Sequence, residues 1–187
     1  MQNIQKIIGK TIVIRKAEPK DVEAIFRNVW SDVEVIRTTF LYQSPDLEEA
    51  KARLERTINY QKDKYMFFMA LKDTDEAIGL CGILPMEESV YQEGGFIIGK
   101  NFQRKGYGTE MLNIFLDIVF TKLNAKEFIY SYCDGNDKSR HLANRFGFTY
   151  FKTDTEIRGW DKKEFKIHQL KLKKDDYKGI NFEYEIQ

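Results

Sequence analysis

Residues Gln103-Arg104-Lys105-Gly106-Tyr107-Gly108 stand between a strand-like segment ending near Ile98 and a long amphipathic helix. This passage from strand to glycine loop to helix constrains the fold more than any other stretch. Leu112, Phe115, Leu116, Val119 and Leu123 recur at helical spacing and predict a helix from about Thr109 to Asn124. At such a helix start the first N–H groups lack internal partners and point outward along the positive end of the dipole. Glycine, with no Cβ, lets an anion approach them. Gly106 and Gly108, with the N–H groups of Arg104 to Thr109, therefore read as a pyrophosphate site, to which Arg104 and Lys105 add charge. The alternative is an ordinary turn whose glycines serve packing. A Walker loop is excluded because no Gly-Lys-Ser/Thr ending follows, and the third glycine of the dinucleotide fingerprint is missing.

The other elements follow from pattern and turn chemistry. Thr11 to Arg15 reads as a strand, Pro19 to about Trp30 as a helix, and Asp46 to Ile58 as a second helix. On the second helix Leu47, Ala50, Leu54 and Ile58 face inward, and Glu48, Glu49, Lys51, Arg53, Glu55 and Arg56 are expected on the solvated face. Tyr65–Lys72 and Glu76–Pro85 form a hairpin across Asp73-Thr74-Asp75, followed by a strand at Glu93 to Ile98. Paired glycines, Gly94-Gly95, inside that strand predict a bulge or a close backbone approach. Glu127 to Cys133 is a strand, and Asp134-Gly135-Asn136 turns into a helix ending at Phe146 with Gly147 as its left-handed cap. Strands at Thr149–Lys152 and Glu164–Leu172 follow, and the alternation from Ile180 to Ile186 predicts one more. The class is α/β with a central antiparallel meander.

Composition removes several functions. Thirty Lys plus Arg against twenty-nine Asp plus Glu leave a net charge of +1, which excludes a dedicated nucleic-acid binder. A hydrophobic share of 42% in 187 residues is ample for the core of one domain. No apolar run is long enough to span a bilayer, and the first residues lack a signal pattern, so a soluble cytoplasmic protein is expected. Cys81 and Cys133 have no metal-ligand spacing, His141 and His168 have no metal-binding companion, and no metal is expected.

The order of elements, the loop and the downstream run Asn136-Asp137-Lys138-Ser139, with its helix closing on Gly147-Phe148, resemble the GNAT N-acetyltransferase superfamily. The likeness covers about Thr11 to Leu172, and the second run is similar to the branch that acetylates ribosomal-protein N-termini and several small amines. The resemblance implies a mixed, mostly antiparallel twisted sheet flanked by helices, with a splayed central strand pair that admits the pantetheine arm. It implies acetyl-CoA as cosubstrate, with the pyrophosphate on Gln103, Arg104, Lys105, Gly106, Tyr107, Gly108 and Thr109. It further implies backbone contacts at Ile98, a contact from Asn136, and Ser139 near the thioester sulfur. Lys100 stands where the family usually has Pro. Residues 1–178 form the acetyltransferase domain on this reading, and 179–187 a C-terminal strand extension of it.

Glu93, entering the splayed strand, is the candidate base and Ser139 the candidate acid. A solvent-facing carboxylate and a helix-capping hydroxyl are their structural alternatives. Tyr107 and Tyr132 read as packing residues. Acceptor specificity is expected from Trp30 to Pro45 and from Arg158-Gly159-Trp160. The aromatics Trp30, Phe40, Tyr42 and Trp160 either line that cleft or belong to the core. The acceptor reads as a primary amine, best a protein or peptide N-terminus. A polyamine, amino-acid analogue or antibiotic is the alternative, as is a non-catalytic acyl-CoA-binding module. Monomer and homodimer remain equally open, because an amphipathic C-terminal strand extends a sheet edge or pairs with a second subunit.

Overall fold

The computed structural model describes residues 4–187. The strands are β1 (Lys6–Ile8), β2 (Ile12–Arg15), β3 (Met66–Leu71), β4 (Ala77–Pro85), β5 (Val90–Glu93), β6 (Ile97–Ile98), β7 (Glu127–Cys133), β8 (Thr149–Ile157), β9 (Glu164–Lys173) and β10 (Glu185–Ile186). They form one sheet in the order β10-β1-β2-β3-β4-β5-β7-β9-β8, with β6 also paired to β4. Among the described residues only β5 and β7 run parallel, and the other pairings are antiparallel. The helices are α1 (19–30), α2 (Val33–Ile36), α3 (Leu47–Gln61), α4 (107–122) and α5 (Asp137–Arg145).

Strand periodicity builds two cores on opposite faces of the sheet. Phe67 and Met69 of β3 face α4, where Met111, Leu112, Phe115 and Val119 pack on Ile12 and Ile14. Phe68 points the other way, into Ile25, Val29 and Trp30 of α1 and Ala50 and Leu54 of α3. Buried polar contacts then fix the layers to the sheet. Glu110, on the first turn of α4, accepts from Thr11 N (2.9 Å) and Thr11 Oγ1 (2.5 Å), tying the helix to the β1–β2 turn. Arg15 pairs with Asp21 (2.7 Å) and Asp75 (2.8 Å), joining β2, α1 and the β3–β4 turn.

The feature that positions the site is a bulge. Ile83 pairs with Glu93 and Leu80 with Ile97, so two residues of β4 oppose three residues, Gly94 to Phe96. The parallel β5–β7 ladder ends at Gln92–Ile129, and β6 follows β4 instead. A wedge therefore opens between β6 and the far half of β7. The strand expected over Glu93 to Ile98 is thus split. Gly95 has φ +102°, and a Cβ on Gly94 would meet Met66 Sδ at 2.7 Å, so the paired glycines are what the bulge requires.

Several boundaries differ from expectation. β1 and α2 are additions, three and four residues long, too short for a periodic signal. β8 runs to Ile157 rather than Lys152; its added residues are mostly exposed and polar, so no apolar alternation marks them. Arg53 is 7% exposed and not on the solvated face, because its guanidinium packs over the rings of Trp30 and Tyr42. Of the strand expected over Ile180 to Ile186, only Glu185–Ile186 joins the ladder, as β10 on β1 of the same chain. β1 offers few residues to pair with, and the preceding Ile180, Phe182 and Tyr184 instead pack on the α4 core. Tyr177 and Tyr184 both donate to the Asp117 carboxylate (3.1 and 2.7 Å), strapping this segment across α4. No helix of the described residues is long and apolar enough to cross a membrane.

A chain ending at Lys178 should lose several kcal/mol, at about 1 kcal/mol for each half-buried large side chain removed. A thermal midpoint unchanged from the full chain would show that the strap carries no stability.

Candidate active site

The alternation of antiparallel hydrogen bonds decides what β6 offers the wedge. Gly99 N–H donates to Ile78 O (2.8 Å), and Gly79 sits opposite Ile98, so the N–H and C=O of Ile98 turn away from β4 toward the opening. The Ile98 carbonyl accepts from Gln103 Nε2 (2.8 Å), while Gln103 Oε1 accepts from Lys138 Nζ (2.7 Å). Gln103 therefore locks the loop to the strand before any ligand arrives.

The loop itself is shaped for an anion. Arg104 (φ +64°) and Gly106 (φ +91°) adopt left-handed backbone, and Gly106 stands as the residue before α4. Alternation of right- and left-handed residues gathers N–H groups into a concavity. Among the described residues, the N–H groups of Arg104 to Gly108 find no acceptor, whereas Thr109 N–H donates to Gly106 O (3.0 Å). A groove of about 730 Å³ runs past this loop, lined by Ile98, Gln103, Arg104, Gly106, Gly108 and Thr109 and, opposite, by Asn136 and Ser139. Arg37, Lys100, Lys138 and Arg145 add positive charge to its walls against Glu34 and Asp137. Arg145 reaches Thr109 Oγ1 (2.6 Å), so that hydroxyl is engaged. Lys105 and Tyr107 do not line the groove. Lys105 lies over the Phe102 ring (5.5 Å to its centroid), and Tyr107 packs on the core.

A second cavity, of about 460 Å³, lies at the other mouth of the wedge and holds Glu93. Its apolar wall includes Trp30, Phe40, Leu41, Phe67 and Leu80. The two cavities share Thr38, Thr39, Phe96, Ile97, Tyr130, Asn136 and Ser139. Glu93 is partly buried, and its carboxylate accepts from Gly95 N–H (2.6 Å). Burial pushes its pKa up to about 7, against the pull of the Gly95 and Phe96 N–H groups.

Asn136, the residue before α5, accepts from Ser139 N–H (3.2 Å). The Ser139 hydroxyl is thereby freed from capping and meets Tyr130 Oη at 2.9 Å. Burial raises the Tyr130 pKa well above its ordinary value, so the phenol stays protonated at neutral pH. Sequence reasoning missed Tyr130; its place in β7 within an apolar strand looks like packing. His168 holds Thr153 (2.9 Å) and Asp134 (3.2 Å) and stacks on Tyr132, which lines the second cavity. Cys133 also lines it, with burial pushing its thiol up to about 11.

The roof of the second cavity is tied to the β8–β9 turn by Arg158 and Trp160. Arg158, 4% exposed between β8 and β9, donates through Nη1 to the carbonyls of Ile36 (3.3 Å) and Thr39 (2.9 Å). Asp161 neutralises it, and the guanidinium holds that carboxyl down at about 2. Trp160 Nε1 donates to Leu41 O (3.0 Å) beside it. The two segments expected to supply acceptor specificity thus meet. Trp30 is both core and cavity wall, and Phe40 lines the cavity while packing on Phe165. Among the described residues no cluster of His, Cys, Asp or Glu is placed to hold a metal ion.

The profile of the Acetyltransferase (GNAT) domain matches residues 11–149. The N-acetyltransferase p20 of Bacillus licheniformis is 24% identical over 182 residues, covering 94% of this chain and all of that protein. A GCN5-related N-acetyltransferase from Brucella melitensis superposes with a TM-score of 0.81 at 16% identity, covering 94% of this chain and 81% of that one. An acetyltransferase from Salmonella typhimurium, described as modifying the N-terminal serine of a 50S ribosomal subunit protein, gives 0.71 at 17% identity. That match covers 89% of this chain and 98% of that one.

Because the folded state holds the Glu93 proton more tightly than an unfolded chain, this group's contribution to stability is present below about pH 4.5 and lost as the pH rises through about 7. Glu93→Gln keeps the acceptor for Gly95 and removes the buried charge, so it should stabilise the protein at pH 8 by up to about 3 kcal/mol. The gain should shrink at pH 5.5. An equal change in thermal midpoint at both pH values would place Glu93 in contact with water.

Proposed function

The chain belongs to the GNAT acetyltransferase family, and from that premise we propose that it moves an acetyl group from acetyl-CoA to a primary α-amine inside the β6–β7 wedge. The observation that carries this reading is the junction of the two cavities. One is lined by unpartnered N–H groups and cations, the other holds a carboxylate, and Ser139 and Tyr130 stand where they meet.

The residues at hand fit the cosubstrate. The N–H groups of Arg104 to Gly108 and the guanidinium of Arg104 would hold the pyrophosphate, with Lys105 close by and Thr109 held to Arg145. Gln103 fixes the Ile98 carbonyl, which leaves the Ile98 N–H for the pantetheine arm and the thioester oxygen. Asn136 orders the α5 start beside it. When bound, acetyl-CoA supplies a thioester that a neutral amine attacks directly, with the thiol as leaving group. Glu93 takes the amine's proton; an α-amine with pKa of about 8 costs only about 1 kcal/mol to neutralise at pH 7, a lysine amine nearer 5. Ser139, held by Tyr130, would donate a hydrogen bond to the leaving thiolate, whose conjugate-acid pKa of about 8.5 lets it depart without prior protonation and take its proton from water.

Two acceptor types fit an α-amine site. A peptide or protein N-terminus has the support of the Salmonella typhimurium neighbour's described substrate. A small amine has the support of the roof that Arg158 anchors over the cavity. A protein that bound acetyl-CoA yet released no thiol with a broad panel of amines and N-terminal peptides would be a binding module instead.

Gly106→Val should weaken acetyl-CoA binding at least tenfold, because its φ is strained for a branched residue; unchanged affinity in calorimetry would remove the loop from the site. In wild-type protein kcat/KM should climb as Glu93 loses its proton near pH 7. Glu93→Gln should lower it about 100-fold and leave only the limb of the acceptor amine near pH 8. Ser139→Ala should reduce kcat about tenfold at constant KM. Wild-type pH profiles and rates in both variants would reject these roles.

A further inference from the structure

The second cavity carries a buried positive charge that the acetyl transfer described above does not use. Arg53 of α3 lines it and is 7% exposed, yet no carboxylate lies within salt-bridge distance. Its guanidinium has the Trp30 ring on one side (4.5 Å from carbon to centroid) and the Tyr42 ring nearby (4.3 Å). A guanidinium has five N–H donors in one plane. Both hydrogen bonds that Arg53 makes leave from Nη1, to Tyr42 O (2.7 Å) and Ser44 Oγ (3.3 Å). Nε and Nη2 have no acceptor among the described residues.

Burial lowers the Arg53 pKa and Arg56 adds to that, while Glu49 pulls the other way although its carboxylate is already engaged by Arg56 (2.7 Å) and by the Tyr42 hydroxyl (3.1 Å). A second donor in the same wall is also unsatisfied. Trp30, 1% exposed, has a buried indole N–H with no hydrogen-bond partner. Arg53 has a structural task through Nη1, which holds Tyr42 O and the buried Ser44 hydroxyl, but that task leaves its Nε and Nη2 donors unused. Planar edge donors held by stacked rings are the arrangement that reads an oxyanion in two-point fashion.

We propose that Arg53 is a specificity residue which binds a carboxylate of the acceptor, so that the substrate class is an amino carboxylate with an apolar or aromatic body. The inference rests on the α-amine reading above: Glu93 meets the amine end and Arg53 the acidic end within one cavity of about 460 Å³. The carboxylate belongs either to a free amino-acid-like molecule or to an acidic side chain near a peptide N-terminus.

Matched pairs separate these sources and test the idea. Phenylalanine is compared with phenylalaninamide, and a Ser-Glu peptide with its Ser-Gln counterpart, by thiol release with acetyl-CoA, each kcat/KM being expressed per neutral amine because an α-carboxylate makes its amine more basic. The acidic member of at least one pair should show a kcat/KM at least tenfold higher, and Arg53→Gln should reduce that ratio to within twofold of one. Arg53→Lys, which keeps the charge but loses the fork, should fall between. Binding is followed in parallel by calorimetry of 3-phenylpropionate and of 3-phenylpropionamide, neither of which has an amine to acetylate. The carboxylate should bind wild-type protein at least tenfold tighter than the amide and lose that advantage in Arg53→Gln. Equal binding of the two, or a preference that survives Arg53→Gln in a variant with native circular dichroism, overturns the proposal. Carboxylate binding without any turnover would instead leave Arg53 in its role and count against the α-amine reading.

Discussion

One extra residue in a strand organises this molecule. Between Ile83–Glu93 and Leu80–Ile97 the chain from Gly94 to Phe96 has no room to remain flat. β6 is thereby committed to β4 and withdrawn from β7. A continuous ladder would have consumed the N–H and C=O of Ile98 and the facing edge of β7 beyond Ile129. The bulge frees the Ile98 N–H and that edge of β7 from the ladder, while the Ile98 carbonyl is taken up by Gln103. The rest of the architecture keeps that gap open. α4 is docked by Glu110 and the apolar core on one face, while α1 and α3 pack on the other.

The wedge concentrates opposite electrostatic demands at its two ends. A chain with net charge +1 has no long-range bias, yet its donor groove gathers five cationic side chains beside unpartnered N–H groups. At the other end the desolvation that lifts Glu93 to about 7 opposes folding at neutral pH. On the proposed function the same desolvation poises that carboxylate near the operating pH of a base, so its role there and its cost to stability would share one origin.

What the sequence reveals follows from whether a signal is local. The α4 apolar stripe, the Gly106 start, the Asn136 cap and the Gly147 end are each written in neighbouring residues, and each lies within a few residues of its expected place. The paired glycines likewise announced the bulge. Arg53 was not legible, because on a helical wheel it belongs with Glu49 and Arg56; only Trp30 and Tyr42, brought from distant turns, bury it. Tyr130 is hidden for the same reason, its partner Ser139 lying on another element. The end of β8 escaped notice because an exposed edge strand has no core to impose alternation.

The two halves of the chamber are held in different ways. The groove beside Gly106 is built from β6, α4 and α5, elements that pack on the main core. The roof of the second cavity is held at the tip of the β8–β9 hairpin by Arg158 and Trp160, which grip the carbonyl oxygens of Ile36, Thr39 and Leu41. Arg158 does not read the side chains along that roof, which are constrained instead by their own packing, as Ile36 in the interior and Phe40 on Phe165 show. The contacts that fix the roof therefore set its position without specifying the side chains that face the second cavity.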